Sequence, residues 1–443
     1  MFATLHANLA DAFRHPLPLL LAQLAVIMAA AGLCGRIARR FGQPAVIGEM
    51  AAGIALGPSL LGHAFPSLEK LLFPAASLGH LSLLSQVGVL LFLFSMGMEI
   101  DLAAIRRHAR TAIIVSHSGI VVPFLLGTAA AWGLYSAYAP QGVGFAAFAL
   151  FLGIAMSITA FPVLARILTE RGMMATPLGN TAMASAAVDD VTAWILLAVV
   201  IAVAKAQSPL SAIPVALAAV AFTAFMLIVV RPTARRFAAG PAFAQKGPEP
   251  RRAFVALALL CMFVSALATE AIGIHALFGA FLAGVVMPPQ TAFRAFLRAR
   301  LEYPASLFLL PVFFASTGLR TRIDGISGGV EWAICAGLFA IAVAGKLGGV
   351  GLAARATGAS WKDAWSLGAL MNTRGLMELI VLNVGLDLGI LSPRLFTMMV
   401  LMALLTTMMT GPLLTWIQGK RGGRPAEPDP VSAGSAAAVR RES

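Results

Sequence analysis

Residues 185–200 read SAAVDDVTAWILLAVV, and the fold turns on two carboxylates, Asp189 and Asp190, inside an otherwise apolar run. The run extends over 179–204, long enough to cross a bilayer as a helix. A carboxylate near the bilayer centre costs roughly 2.5–3.5 kcal/mol on insertion scales. Two in succession are therefore hard to explain structurally. On a helix, adjacent residues point about 100° apart, so the two can serve different roles. A buried carboxylate that holds either H⁺ or a small cation is the minimum device for exchange, and hard oxygen ligands suit Na⁺ or K⁺.

The rest of the chain supports a membrane setting. Of 443 residues, 59% are hydrophobic and only 12% are charged, and mean hydropathy is +0.87. Soluble domains average about 25% charged residues. This composition excludes a soluble enzyme, a secreted disulfide scaffold and a disordered chain. The N-terminus lacks a basic start followed by an apolar run and a small-residue cleavage site, so no cleaved signal peptide is expected. Cys34, Cys261 and Cys335 fall in apolar runs without CxxC or Cys/His clustering and read as small buried hydrophobes. No cofactor is expected, and no nucleophile–base set or metal cluster points to an enzyme.

Thirteen apolar runs can be counted: 16–35, 44–62, 79–98, 111–135, 143–168, 179–204, 209–230, 252–271, 273–287, 303–320, 330–354, 364–391 and 394–418. Backbone satisfaction in lipid demands helices for them. The formal charge of +13 then acquires a pattern. Of 32 Lys and Arg residues, 24 fall on alternate loops beginning with 36–43, 6 on the opposite loops, and 2, Lys346 and Arg374, within spans. By the positive-inside rule this places the N-terminus outside and the C-terminus in the cytoplasm. Nucleic-acid binding then needs no invoking. The tail 419–443 is Pro/Ala/Ser-rich and reads as disordered.

With seven spans separating the start of one half from the other, related halves would be inverted repeats, as in many secondary transporters. Span 2, GEMAAGIALGP, and span 9, FGAFLAGVVMP, are both short, rich in small residues and ended by Pro. Spans 5 and 12 are the matched pair expected to be interrupted. Span 5 contains Ser157-Ile-Thr159-Ala-Phe-Pro162, in which Pro162 removes a backbone donor and Ser157 and Thr159 offer hydroxyl oxygens. Span 12 contains Met371-Asn372-Thr373-Arg374-Gly375 about ten residues into an apolar run.

The chain has 26 Arg and 6 Lys, yet the base inside span 11 is Lys346. A buried Lys can release its proton, whereas Arg cannot. Arg374 and Glu378 lie one helical turn apart, as an internal pair with either a structural or a transport role. Glu49 opens the apolar part of span 2 as a gate, a headgroup contact or a partner for Arg374. His117 and His275 read as satisfied core histidines.

Several segments match a family in order. QPAVIGEMAAGIALGPSLLG (43–62), SITAFPVLARIL (157–168), VDDVTAWILLAVV (188–200), GAFLAGVVMP (279–288) and PVFFASTGLRT (311–321) resemble the monovalent cation:proton antiporter-2 family, the bacterial sodium/hydrogen exchanger type. GALMNTRGLMELIVLNVGLDLGIL (368–391) is similar to its plant cation/proton exchanger and spore-germination branch. The resemblance covers roughly 16–418. It implies an all-α fold of about 13 transmembrane helices with inverted repeats and two crossed discontinuous helices. Residues 16–98 and 252–320 would form a dimerising panel, 111–204 and 330–418 an ion-transporting core, and 209–230 a linking helix.

The resemblance further implies that Asp190 is the essential aspartate, Asp189 the partner of Lys346, and Thr159 the cation-site hydroxyl, with Ser157 beside it. Pro162, Asn372, Thr373, Arg374 and Glu378 would support the broken helices. Members with Asp-Asp plus Lys are the electrogenic ones. Some relatives carry a nucleotide-binding regulatory domain. None is expected here, since no GxGxxG follows a strand pattern. The expectation is a homodimeric antiporter of the bacterial inner membrane that exchanges Na⁺ for protons by alternating access. A K⁺/H⁺ antiporter is the alternative, Li⁺ a further candidate ion, and an uncoupled cation channel a remote one.

Overall fold

The computed structural model describes residues 15–99, 109–174, 176–205, 209–239, 252–288, 294, 296–297, 300–301 and 305–419. Arg14, Arg106, Arg107, Lys246, Arg251, Arg298 and the tail from Lys420 onward, all used in the sequence reading, lie outside the described residues.

Among the described residues every regular element is helical. The chain opens with α1 (Pro16–Arg40), α2 (Ala45–Leu56), two short helices and α3 (Leu78–Glu99). Then come α4 (Ala109–Tyr138), α5 (Phe145–Ser157), α6 (Phe161–Glu170) and α7 (Pro177–Lys205). Next is α8 (Pro209–Phe225), which passes through a π turn into α9 (Arg231–Ala239). The second half holds α10 (Arg252–Ile272), α11 (Ala276–Val286), α12 (Leu310–Arg320), α13 (Gly328–Ala356), α14 (Trp361–Met371), α15 (Leu376–Asp387) and α16 (Pro393–Gln418).

Ten helical segments among the described residues are long and apolar enough to cross a membrane. The other three apolar runs of the sequence are the short α11, the π turn Ala305–Leu309 continued by α12, and the broken pair α14/α15. This is a multi-pass membrane protein. Its outer surface carries large apolar side chains, such as Leu217 and Ile228, while Trp132 (80% exposed) and Trp416 (81%) stand near helix ends, where amphipathic rings favour the bilayer interface.

The helix ends differ from the sequence expectation in one instructive way. α1 continues through Arg36, Arg39 and Arg40, which were expected in a loop. Cations in the last turn complement the helix dipole, so the basic residues extend the helix rather than end it.

Lipid is as apolar as leucine, so helices here associate by close packing rather than by the hydrophobic effect. Small residues allow it. A Cβ added at Gly53 of α2 would lie 2.3 Å from Ala315 O of α12, and one at Gly284 of α11 would lie 2.1 Å from Phe94 O of α3. Thus α1, α2, α3, α10, α11 and α12 pack among themselves. A second group, α4, α5, α7, α13, α14 and α16, does likewise, with α4 against α5 and α13 as its main contacts. The two interrupted helices, α5/α6 and α14/α15, both belong with the second group.

A buried ion cluster where two broken helices cross

α5 ends at Ser157, and residues 158–160 run extended before α6 restarts at Phe161 with Pro162 in its first turn. A proline there gives up a donor that the first turn leaves unpaired anyway. α14 ends at Met371, and α15 restarts after Gly375. Gly375 has φ +155°, and a Cβ on it would sit 2.9 Å from Val163 Cγ2 of α6. Only glycine suits that backbone and that approach.

The two breaks are tied to each other. Ala160 N donates to Thr373 O at 2.9 Å, and Thr159 Oγ1 donates to Met371 O at 2.9 Å. Each bond uses a backbone group that an unbroken helix would satisfy internally. Arg374 closes the other end. Its guanidinium donates to Ala155 O (3.1 Å) and to Met156 O, carbonyls in the last turn of α5, placing positive charge at a helix C-terminus. It also pairs with Glu378 at 2.9 Å, with both side chains fully buried. Thr407 of α16 braces the turn, donating to Arg374 O at 2.6 Å and accepting from Arg374 N at 3.2 Å. Thr373 Oγ1 lies 3.3 Å from Thr410 Oγ1 of the same helix.

Beside this crossing stands the α7 carboxylate pair. Asp189 Oδ2 accepts from Thr159 N at 2.8 Å and lies 3.4 Å from Lys346 Nζ. Lys346, from α13, also donates to Thr159 Oγ1 at 2.7 Å. Asp189, Lys346 and Thr159 are each 0% exposed. Lys346 therefore does not snorkel to an interface. Asp190 is 3% exposed, and its Oδ1 is buried without a hydrogen-bond partner. Both side-chain polar atoms of Asn372, at the second break, are likewise unpartnered. Ser157 is buried and bonds backward, to Gly153 O (2.7 Å) and Ile120 O (3.1 Å), so its hydroxyl hydrogen serves α4 and α5.

Some sequence expectations are corrected. Glu49 is not the partner of Arg374, which Glu378 occupies. The charges acting on half-buried Glu49 are Arg166 and Arg39. His117 is exposed rather than in the core, and its Nδ1 meets Ile113 O of its own helix at 2.9 Å. His275 is half-buried and caps α11, accepting from Leu277 N at 3.4 Å. The three cysteines are free, and of the three expected to be buried only Cys335 is, with Cys34 and Cys261 half-buried. The bracing threonines Thr407 and Thr410 were missed, although threonines at 406, 407 and 410 in an apolar helix were a visible signal.

Two broken helices crossing around buried charges in a polytopic helical bundle define a secondary ion transporter. Residues 25–418 match the family described as sodium/hydrogen exchanger, transmembrane. The chain is 44% identical over 400 residues to the Na(+)/H(+) antiporter NhaS4 of Synechocystis, covering 90% of this chain and 97% of that one. It is 40% identical to cation/H(+) antiporter 20 of Arabidopsis thaliana, of which it spans 48% while 89% of this chain aligns. The sodium proton antiporter MjNhaP1 of Methanocaldococcus jannaschii shares the fold, with a TM-score of 0.65 at 13% identity over 93% of this chain and 100% of that one. The chain belongs to the sodium/hydrogen exchanger family and is a cation:proton antiporter.

Proposed function

We propose that the protein exchanges Na⁺ for protons electrogenically, with Asp190 as the group that alternately holds the cation and a proton. The observation that carries the reading is the unequal state of the two adjacent aspartates: each has a buried Oδ1 without a hydrogen-bond partner, but Asp189 Oδ2 is held by Lys346 and Thr159, whereas Asp190 has no basic side chain paired with it among the described residues. An unsatisfied buried carboxylate oxygen is costly unless something completes it, and a proton or a small cation does so. Cation binding at Asp190, with Asp189 drawn in, breaks the Asp189–Lys346 pair and frees a proton from Lys346. On the return both sites carry protons, giving two protons per cation.

On this reading α4–α7 and α13–α16 form the moving core, and α1–α3 with α10–α12 form a dimerising panel. The N-terminus faces outward and the C-terminus the cytoplasm, in a bacterial inner membrane. K⁺ is the alternative cation, since ion choice rests on coordination geometry finer than residue identity. Everted vesicles with a pH-sensitive dye test the assignment. Added Na⁺, K⁺ or Li⁺ dissipates the proton gradient with the parent protein and not with Asp190→Asn. Dissipation by the variant would overturn the role of Asp190. In proteoliposomes, Lys346→Gln loses the response to an imposed membrane potential, and an unchanged response would remove Lys346 as proton carrier.

A further inference from the structure

Away from the ion cluster, a narrow polar cavity separates the panel from the core. Its walls include Ser82, Ser85 and Gln86 of α3, Arg320 of α12, and Asn383 and Asp387 of α15. Arg320 is the last residue of α12 and Asp387 the last of α15, so each ends its helix at the same face of the bundle. Arg320 Nη1 donates to Asp387 Oδ1 at 2.7 Å and to Asn383 Oδ1 at 3.2 Å. Asn383 Nδ2 returns a bond to Thr317 Oγ1 of α12 at 2.9 Å. A few residues on, Arg322 N donates to Thr397 Oγ1 of α16 at 3.1 Å. The panel and the core are therefore joined on this face through four polar contacts. On the opposite face Gln43, following α1, reaches Met408 O of α16 at 3.3 Å.

The side chains of Arg320 and Asp387 are 28% and 45% exposed. Exposed pairs contribute little to global stability, so packing does not explain why two basic–acidic helix ends are held together here. The location does. These residues link two helix groups that alternating access requires to separate, and contacts made in only one of two states set the balance between them.

We propose that Arg320 and Asp387, steadied by Asn383, form a latch that holds the panel against the core at the face bearing residues 321–327 and 388–392. The latch opens once per transport cycle. It rests on the alternating-access reading above and on the topology that makes this face external. The two residues are positioning residues: they touch no transported ion but decide which side of the site is reachable. Removing one partner shifts the balance towards the state open at this face, by about 1.5- to 5-fold for a pair of this exposure.

The test reads accessibility. Cys34, Cys261 and Cys335 are first replaced by Ser, and Ser85, 4% exposed in the cavity wall, becomes the reporter as Ser85→Cys. A membrane-impermeant maleimide is applied to intact cells. Arg320→Ala and, separately, Asp387→Asn are expected to raise the labelling rate about 1.5- to 5-fold. The swap Arg320→Asp with Asp387→Arg is expected to return it towards the parent. A mere capping role for Arg320 would not be rescued by the swap. Equal labelling of parent and single variants, or a swap labelled as fast as the singles, overturns the latch. Detergent size-exclusion profiles exclude misfolded variants, and the conservative Asp387→Asn keeps the test open if Arg320→Ala fails to fold. Labelling needs no transported ion, so a parent protein without antiport would sink the functional reading while leaving the latch measurable.

Discussion

Replacing Lys346 with Met removes one partner from a pair whose side chains are both 0% exposed. Met fills much the same space, so the cost is electrostatic rather than a cavity. Asp189 keeps Thr159 N as a donor at 2.8 Å but loses the ammonium at 3.4 Å. Thr159 Oγ1 loses its donor as well. Breaking a buried pair on one side costs about 3–5 kcal/mol. At about 2–4 °C per kcal/mol for a large domain, the melting temperature falls by roughly 6–20 °C. Changing both partners removes the stranded charge. In Asp189→Asn/Lys346→Met the amide oxygen still accepts from Thr159 N, and at least half of the loss is recovered. Scanning fluorimetry of purified protein in detergent, in sodium-free buffer, reads all four members of this double-mutant cycle. Two results refute the reasoning: a Lys346→Met protein that melts with the parent, or a double variant whose loss equals the sum of the singles.

Arg374→Ala strands Glu378 and the α5 carbonyls together and costs about 3–5 kcal/mol, whereas Arg374→Lys loses the planar fork and costs about 1.5–3 kcal/mol; equal melting of the two variants would argue against the fork. Gly375→Ala puts a side chain at φ +155° and 2.9 Å from Val163 Cγ2, for about 1–3 kcal/mol of backbone strain. Adding Val163→Ala relieves the clash without the strain, so that double variant melts between Gly375→Ala and the parent. Saturating Na⁺, at 100 times its dissociation constant, stabilises the parent by about 2.7 kcal/mol, and Asp190→Asn shows no such rise in melting temperature.

The broken helices and the buried charges were legible in the sequence because membranes make polar residues conspicuous. Pro162 in an apolar run and Asn-Thr-Arg-Gly in another each announced a break, and Asp189, Asp190 and Lys346 each violated the composition of its span. What a residue bonds to was less legible. Arg374 pairs with Glu378 four residues along its own chain, which spacing supplied, but it also holds Ala155 O and Met156 O from 219 and 218 residues away. No periodicity encodes that. His117 failed for a related reason: an apolar run identifies a helix but not which face meets lipid, and this histidine lies on the exposed one, satisfied by a local carbonyl.

The buried charges also bear on which carboxylate exchanges ions. Among the described residues the buried Asp, Glu, Lys and Arg side chains are Asp189, Asp190, Lys346, Arg374 and Glu378. These are three carboxylates and two bases. The geometry assigns both bases, Lys346 to Asp189 and Arg374 to Glu378. With every group ionised the cluster carries one uncompensated negative charge, and by elimination it belongs to Asp190. A buried unpaired charge is the arrangement a stable core avoids most strongly. One proton neutralises it, and so does one monovalent cation; a divalent ion would leave an excess of positive charge. The count is what the proposed competition between H⁺ and a single-charged cation at Asp190 would require. In the mechanism proposed above, Lys346 would release the second proton, because a cation that draws Asp189 away would leave the buried ammonium without its counter-ion.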